Sequence, residues 1–381
     1  MCDHGEASRN VFPVTANAEL AAVRSPAAGR ESGIVSRHGI VTVNPLEEQG
    51  WDGMVGLHPG AEFFHGTGWA RVLQESYGHV PVYVARFAGG RLEGLLPVME
   101  VASALTGKRG VSLPFTDYAH PLKTAGSGAG DLYEAAMNLG RERGWKYLEC
   151  RSSDEDWKSS SPSLVFFGHK LDLAGGEELL FKNLDGAMRR GIRKAESAGL
   201  RIQFADTMES VLTYYALHCQ TRRRHGLPPQ PFRFFSNIQR HVLQAGNGFV
   251  ATARLEGKPV AGAVFFHQGG RALYKFGASD YGYQELRPNN LLMWEGIRQC
   301  AARGCASLHF GRTSVSNEGL RRFKLGFGAV EEEIKYARYD FRAQRFVTGV
   351  DRAETWMNRV FGCLPMPVLK WVGRAMYRHV G

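Results

Sequence analysis

Residues 85–96, Ala-Arg-Phe-Ala-Gly-Gly-Arg-Leu-Glu-Gly-Leu-Leu, align without a gap on residues 253–264, Ala-Arg-Leu-Glu-Gly-Lys-Pro-Val-Ala-Gly-Ala-Val. Each stretch reads as one β-hairpin. A strand ends in Ala-Arg and an apolar residue, a Gly supplies the turn, and the second strand carries another Gly five residues on. A second echo follows each copy. Arg143-Gly144 ahead of Leu148 corresponds to Arg303-Gly304 ahead of Leu308, in both places a helix end, a glycine stop and a following strand. The offsets are 168 and 160 residues, which describes duplication of a whole domain and not a short solenoid repeat. Two like domains leave a cleft between them.

A chain of 381 residues suits two domains of about 150 residues each with tails. The expected division is a disordered leader at 1–38, a first domain at 39–170, a second at 171–342 and a tail at 343–381. An apolar fraction of 44% is that of a globular protein. No stretch approaches the roughly 18 continuous apolar residues that span a bilayer, and no segment resembles a signal peptide. A cytoplasmic location is expected, with a peripheral place at the inner face of the membrane left open. The six cysteines, at positions 2, 150, 219, 300, 305 and 363, have no Cys-x-x-Cys spacing, so reduced thiols and no zinc site are expected. A net charge of +10 favours acidic partners such as nucleic acid, phosphorylated carriers or an anionic membrane face.

Within each half the order is helices, a hairpin, a further strand, one helix and one strand, which predicts a mixed α/β (α+β) fold with helices on the faces of a mixed sheet. In the first half a strand is expected at Gly110–Phe115 and a helix at about Asp131–Arg143. In the second half helices are expected at Leu179–Ser197, Met208–Arg223, Phe232–Gln244 and Asn290–Arg303. The tail from about Asp351 differs in kind. Trp356, Val360, Leu364, Leu369, Trp371 and Met376 alternate with Arg359, Lys370, Arg374 and Arg378. That composition suits either a membrane surface or a terminal helix packed on the first domain.

The strongest local motif is Asn317-Glu318-Gly319-Leu320-Arg321-Arg322-Phe323-Lys324-Leu325-Gly326-Phe327-Gly328. Leu320, Phe323 and Phe327 share one face of a short helix and hold Lys324 beside it. Such a lysine serves as a fixed cation over a developing oxyanion, or with lowered pKa as an acid or base; an exposed lysine on a turn has the same spacing. A second constellation is the crowd of Arg189, Arg190, Arg193 and Lys194 on one helix, where like charges at i+4 repel unless an anion offsets them. Phosphate binding and a solvated face both fit. A third is Arg287-Pro288-Asn289-Asn290 at a helix start, just after the strand bearing Tyr274 and Lys275, with Asn289 or Asn290 as N-cap. In the first half, Ser112 to Pro121 form a polar and aromatic loop able to hold an acceptor, or an ordinary turn.

These residues resemble a known family. The basic helix, His218 to Gly226, Arg287 to Trp294, Phe310-Gly311-Arg312 and Asn317 to Gly328 look like the FemAB-like proteins. These are tandem GNAT-fold acyltransferases that include the aminoacyltransferases of peptidoglycan interpeptide bridges. The resemblance covers roughly Ile40 to Phe341. In the first half, Leu96-Pro97 and Leu113 to Tyr118 look like members associated with exopolysaccharide and exosortase systems.

The resemblance implies two tandem GNAT-like domains and transfer of an acyl or aminoacyl group to an amine or hydroxyl. The family's Phe-Lys motif carries its lysine onto Lys324. On this reading Arg287, Asn289, Asn290 and Tyr274 hold the donor, and Asp117, Tyr118, Arg189, Arg193, Arg312 and Asn317 hold the acceptor. Two family features are missing: the long helical arm of some bridge-forming members, and the pyrophosphate-binding Arg/Gln-x-x-Gly-x-Gly/Ala, whose place Arg287 to Leu292 occupy. The donor therefore stays open between acyl-CoA and aminoacyl-tRNA, with no tightly bound cofactor, and the acceptor is a phosphorylated or lipid-linked envelope precursor. A rival expectation is a non-catalytic basic protein that binds RNA or a phosphorylated carrier. A metalloenzyme is disfavoured because His218 and His225 lie seven apart with no acidic partner at ligand spacing.

Overall fold

The computed structural model describes residues 38–157, 162–349 and 361–379, so the leader expectation lies outside the described residues. The first half contributes β1 (Gly39–Val43), β2 (Val80–Pro81), β3 (Tyr83–Ala88), β4 (Arg91–Leu96), β5 (Met99–Ser103), β6 (Gly107–Val111), β7 (Leu122–Lys123) and β8 (Tyr147–Cys150). Its helices are α1 (Trp51–Gly56), α2 (Thr67–Tyr77) and α3 (Gly130–Glu142). The second half contributes β9 (Leu164–Asp172), β10 (Arg201–Ala205), β11 (Gly248–Leu255), β12 (Lys258–Gln268), β13 (Arg271–Ser279), β14 (Ser307–His309), β15 (Thr313–Ser314), β16 (Val330–Asp340) and β17 (Arg345–Val347). Its helices are α4 (Gly176–Lys182), α5 (Gly186–Ser197), α6 (Met208–Arg224), α7 (Phe232–Ile238), α8 (Pro288–Ala302) and α9 (Glu318–Leu325).

The duplicated hairpins are β3–β4 and β11–β12, and each closes through two residues at positive φ: Gly89 and Gly90 in one, Glu256 and Gly257 in the other. Such turns match the right-handed twist of the flanking strands. Each hairpin also carries a register shift, after Arg86 in the first and before Arg254 in the second, so turn and shift together lie one residue earlier in the second copy than the gapless match places them. The helix–strand echo is equally physical. α3 leads into β8, which lies parallel to β6, and α8 leads into β14, which lies parallel to β13.

The copies diverge at one proline. In the second half β12 runs unbroken, whereas Pro97 has no N–H for a ladder and separates β4 from β5. As a result β4 stays in a four-strand sheet, β1-β3-β4-β7, and β5 enters a thirteen-strand sheet in the order β10-β11-β12-β13-β14-β9-β16-β8-β6-β5-β2, with β15 and β17 paired to β9 and β16. β16 ties the halves together. Its Val330–Tyr336 segment pairs with β9, and its Ala337–Asp340 segment pairs with β8 of the first half. Apolar packing crosses the same divide, since Phe63 and Trp69 stack against Phe266, and Trp69 against Phe234.

Three local expectations change. The helix at Leu179–Ser197 is two helices, because the chain turns at Asn183–Asp185 and the Asp185 carboxylate accepts the Ala187 N–H to start α5. The strand at Gly110–Phe115 stops at Val111, and Leu113 and Phe115 take positive φ as the loop folds back on β8. The N-cap of α8 is Arg287, at φ 58, with Pro288 at the first turn; neither Asn289 nor Asn290 caps it. Proline at that position needs no N–H partner, and the cap lies two or three residues before the asparagines. Among the described residues no helix is long and apolar enough to cross a membrane.

Candidate functional site

The site follows from a strand pair that parts. β13 and β14 are hydrogen-bonded only from Arg271 to Leu273 against Ser307 to His309. Beyond them β13 runs on to Ser279, while the other chain turns away through Phe310 and Gly311, the latter at φ 68. The opening is a cavity of about 620 Å³ whose walls include Tyr274, Lys275, Gly277, Ser279, Asn289, Gly311, Arg312, Asn317, Phe323 and Lys324, with Asp117 reaching in from the first half.

A bulge aims the lysine of β13. Phe265 pairs with Tyr274 and Val264 with Phe276, so Lys275 has no partner on β12. An extra residue of this kind bends the strand and redirects its side chain. The Lys275 Nζ donates to Asp117 Oδ2 at 2.6 Å, and the two side chains are 5% and 13% exposed. Burial disfavours the Asp117 carboxylate, but Lys275 and Arg312 outweigh it and hold the pKa below the ordinary value. Arg312 adds a backbone N–H to Asp117 Oδ1 at 3.3 Å and a guanidinium N–H to the Tyr336 hydroxyl at 2.8 Å.

Past the bulge the ladder alternation is fixed by Asp280, whose N–H donates to Val260 O, and by Ser279, whose N–H donates away from β12 to Thr221 Oγ1. Gly277, two residues before Ser279, therefore turns its N–H and C=O away from β12 and into the cavity. A Cβ on Gly277 would overlap the Tyr274 hydroxyl, so glycine is required for that tyrosine to lie where it does.

Lys324 closes the opposite wall. Asn317 caps α9 by accepting the Leu320 N–H at 3.0 Å, and Phe327 packs against Phe310 and Phe323. This seats Lys324 at 2% exposure, its Nζ donating to Gly311 O at 2.9 Å and Arg312 O at 3.2 Å. Burial lowers its pKa to about 8, with Asp117 opposing and nearby Lys275 assisting the shift.

Of the residues singled out in the sequence, Lys324, Tyr274, Asn289, Asp117, Arg312 and Asn317 line this one cavity. Arg287 and Asn290 line an adjoining cavity of about 410 Å³ with Arg190 and Lys194, and Phe323 forms a wall of both. Arg189 and Arg193 lie elsewhere, around a depression of about 490 Å³ with Lys182 and Glu178. Tyr118 is buried beneath the site against His309 and Phe64 and does not line it. Lys275, Gly277, Thr221, Arg224 and His225 line the cavity without having been singled out for it. The bulge that presents Lys275 leaves no signature in a single sequence. The described cysteines are all free, and the described residues hold no group of histidine, cysteine and carboxylate side chains able to bind a metal.

Residues 182–329 match the family model of the acetyltransferase (GNAT) domain, and every cavity-lining residue except Asp117 lies inside that match. No curated protein matches the sequence significantly. Among solved structures the chain is similar to FemX, at 13% identity, a TM-score of 0.60 and coverage of 80% of this chain and 98% of that one. It is similar also to the C-terminal domain of a protein assigned as a lysylphosphatidylglycerol synthetase from Agrobacterium fabrum, at 15% identity, a TM-score of 0.51 and coverage of 77% and 91%. A tandem GNAT protein from the clavulanic acid biosynthesis pathway matches at 10% identity, a TM-score of 0.48 and coverage of 79% and 98%. The protein is an acyltransferase of the GNAT fold. Within that class it carries one such domain at residues 182–329 and shares the fold of FemX over 80% of its length.

Proposed function

We propose that the protein transfers an acyl or aminoacyl group to an amine or hydroxyl of a cell-envelope or exopolysaccharide precursor, working in the cytoplasm. The observation that carries this reading is Lys324, buried in the wall of the cavity that Gly277 also lines, with its Nζ on the Gly311 and Arg312 carbonyls and its pKa lowered to about 8. The acyl carbonyl lies in the gap between the parted strands with its oxygen toward the Gly277 N–H. The acceptor nitrogen or oxygen attacks the carbonyl carbon, and the charge that develops on the oxygen is stabilised by that N–H and by the Lys324 ammonium. As the new bond forms, the bond to the donor's thiol or hydroxyl breaks, and a Lys324 pKa near that of a thiol suits it to protonate the leaving group. The proton lost by the acceptor goes to His225, which burial and Arg224 bias toward the neutral form.

The donor's phosphates are assigned to Arg190, Lys194 and Arg287 around the adjoining cavity. Arg189 and Arg193 are left to a longer acceptor or carrier. FemX and the synthetase domain, as structural neighbours, support an envelope acceptor at the level of fold alone.

The test is calorimetric titration of the whole chain with a series of acyl-CoA thioesters, followed by transfer assays on wild type and Lys324→Met. Saturable, chain-dependent binding assigns acyl-CoA as donor. Its absence moves the search to charged tRNA with lipid-linked precursors. Turnover retained in Lys324→Met overturns the mechanism.

A further inference from the structure

We infer that the C-terminal helix, Met366–Tyr377, is a docking surface for an anionic lipid bilayer. The helix has two different faces. Leu369, Gly373 and Tyr377 point inward, and a Cβ on Gly373 would strike the Pro229 carbonyl. The Tyr377 hydroxyl donates to Pro228 O at 3.1 Å and accepts from Arg222 at 2.7 Å. Just past the helix, His379 Nδ1 lies 2.9 Å from Ser103 Oγ, and its carbonyl accepts from Arg109 at 2.7 Å. The helix is thus held to both halves and does not hang free.

The outer face is apolar and basic together. Val368, Trp371 and Met376 are 43%, 69% and 38% exposed. Val368, Trp371, Val372 and Ala375 fall at i, i+3, i+4 and i+7, one stripe of a helix. Lys370, Arg374 and Arg378 form the neighbouring ridge at steps of four, all exposed. On α6, Leu212 is 50% exposed one turn before Tyr215, whose ring lies 5.3 Å from the Lys370 Nζ. No acidic residue follows Glu354 in the sequence. A tryptophan with this exposure on a packed helix has no apolar cover among the described residues, and the cationic ridge beside it favours a partner that carries negative charge. A bilayer supplies both, with the indole at headgroup depth and the cations on lipid phosphates. A second copy of the chain fits less well, because a twofold contact sets like cationic ridges against each other.

The position suits a lipid-linked acceptor. Arg222, which holds Tyr377, is flanked on α6 by Thr221 and by Arg224 and His225 of the cavity wall. Docking the helix therefore brings that end of the cavity toward the lipid surface.

The test is co-sedimentation of the whole chain with phosphatidylcholine vesicles that contain about 30% phosphatidylglycerol, and with phosphatidylcholine alone, at rising salt. The expected result is partition onto the anionic vesicles only, weakening with salt, and reduced about tenfold or more in Trp371→Ser/Arg374→Glu, whose thermal midpoint stays at the wild-type value. No partition, or equal partition of wild type and variant, overturns the proposal. So does sedimentation velocity that finds a wild-type dimer dispersed by the same substitutions. Acyl transfer is not read in this experiment, so its outcome is separate from that of the proposed chemistry.

Discussion

Asp117 and Lys275 lie 158 residues apart in sequence and meet at 2.6 Å, the first carried by a loop of one domain and the second by a bulge in the other. The pair pins the two halves together at the floor of the cavity. With both side chains nearly out of solvent, removal of either partner leaves an uncompensated charge.

Asp117→Asn is therefore expected to destabilise the protein by about 3–5 kcal/mol in urea unfolding. The double variant Asp117→Asn/Lys275→Met recovers part of that loss, since it buries no lone charge. If the double variant is the less stable of the two, the pair is not what holds the domains.

Acid unfolding follows from the same carboxylate. Its pKa is lower in the folded chain than in the unfolded one, so its contribution is present above the ordinary carboxylate value and disappears as pH falls through the folded pKa. Wild type is expected to lose more stability than Asp117→Asn over that acid range, as measured by thermal midpoints against pH.

Lys324 has the opposite sign. Its pKa falls from 10.5 to about 8 on folding, so between those values the unfolded chain binds more protons and stability rises with pH. Lys324→Met removes this rise and is expected to be at least as stable as wild type at pH 7. Its transfer rate is expected to drop about 10²–10³-fold, the scale of a lost oxyanion contact. Wild-type transfer is expected to decline above about pH 8 as the ammonium is lost.

Gly277→Ala is expected to abolish transfer, because the new methyl displaces Tyr274 from the cavity wall. Adding Tyr274→Phe removes the overlapping hydroxyl and restores a measurable part of the activity. Steady-state rates of the single and double variants decide the point.

At the second hairpin, Glu256 sits at φ 50 in the first turn position, which Gly89 holds at φ 56 in the first hairpin. Glu256→Gly is expected to stabilise the fold by up to about 1 kcal/mol, read as a rise in thermal midpoint.

How much of this was legible in the sequence varies with range. α9 was readable as a short helix, but its expected face was not: Leu320 is exposed and Phe327 lies past the helix end at Leu325, where it packs on Phe323 and Phe310. The basic helix was readable as basic, but its register was not. Arg190 and Lys194 rim the cavity that shares Phe323 with the main one, and Arg190 also joins Arg189 and Arg193 around another depression. The start of α8 was misread by two residues, because Pro288 took the first turn and left the cap to Arg287. For the tail, the sequence allowed packing on the first domain or contact with a membrane, whereas the inward face of the helix packs on Arg222, Pro228 and Pro229 of the second half and His379 beyond it reaches the first. In the folded chain one face of the helix is packed and the other remains open.

The sequence by itself determined the two hairpins and the helix–glycine–strand echo. Each depends on residues within a dozen positions of one another, where backbone sterics and hydrophobic periodicity act directly. Only the tertiary structure decided that β12 and β13 slip by one residue to present Lys275, that Asp117 crosses from the other domain to meet it, and that β16 is shared between the halves. Those outcomes come from strand register and domain packing, which are set by the sum of many distant contacts and leave no periodic trace along the chain.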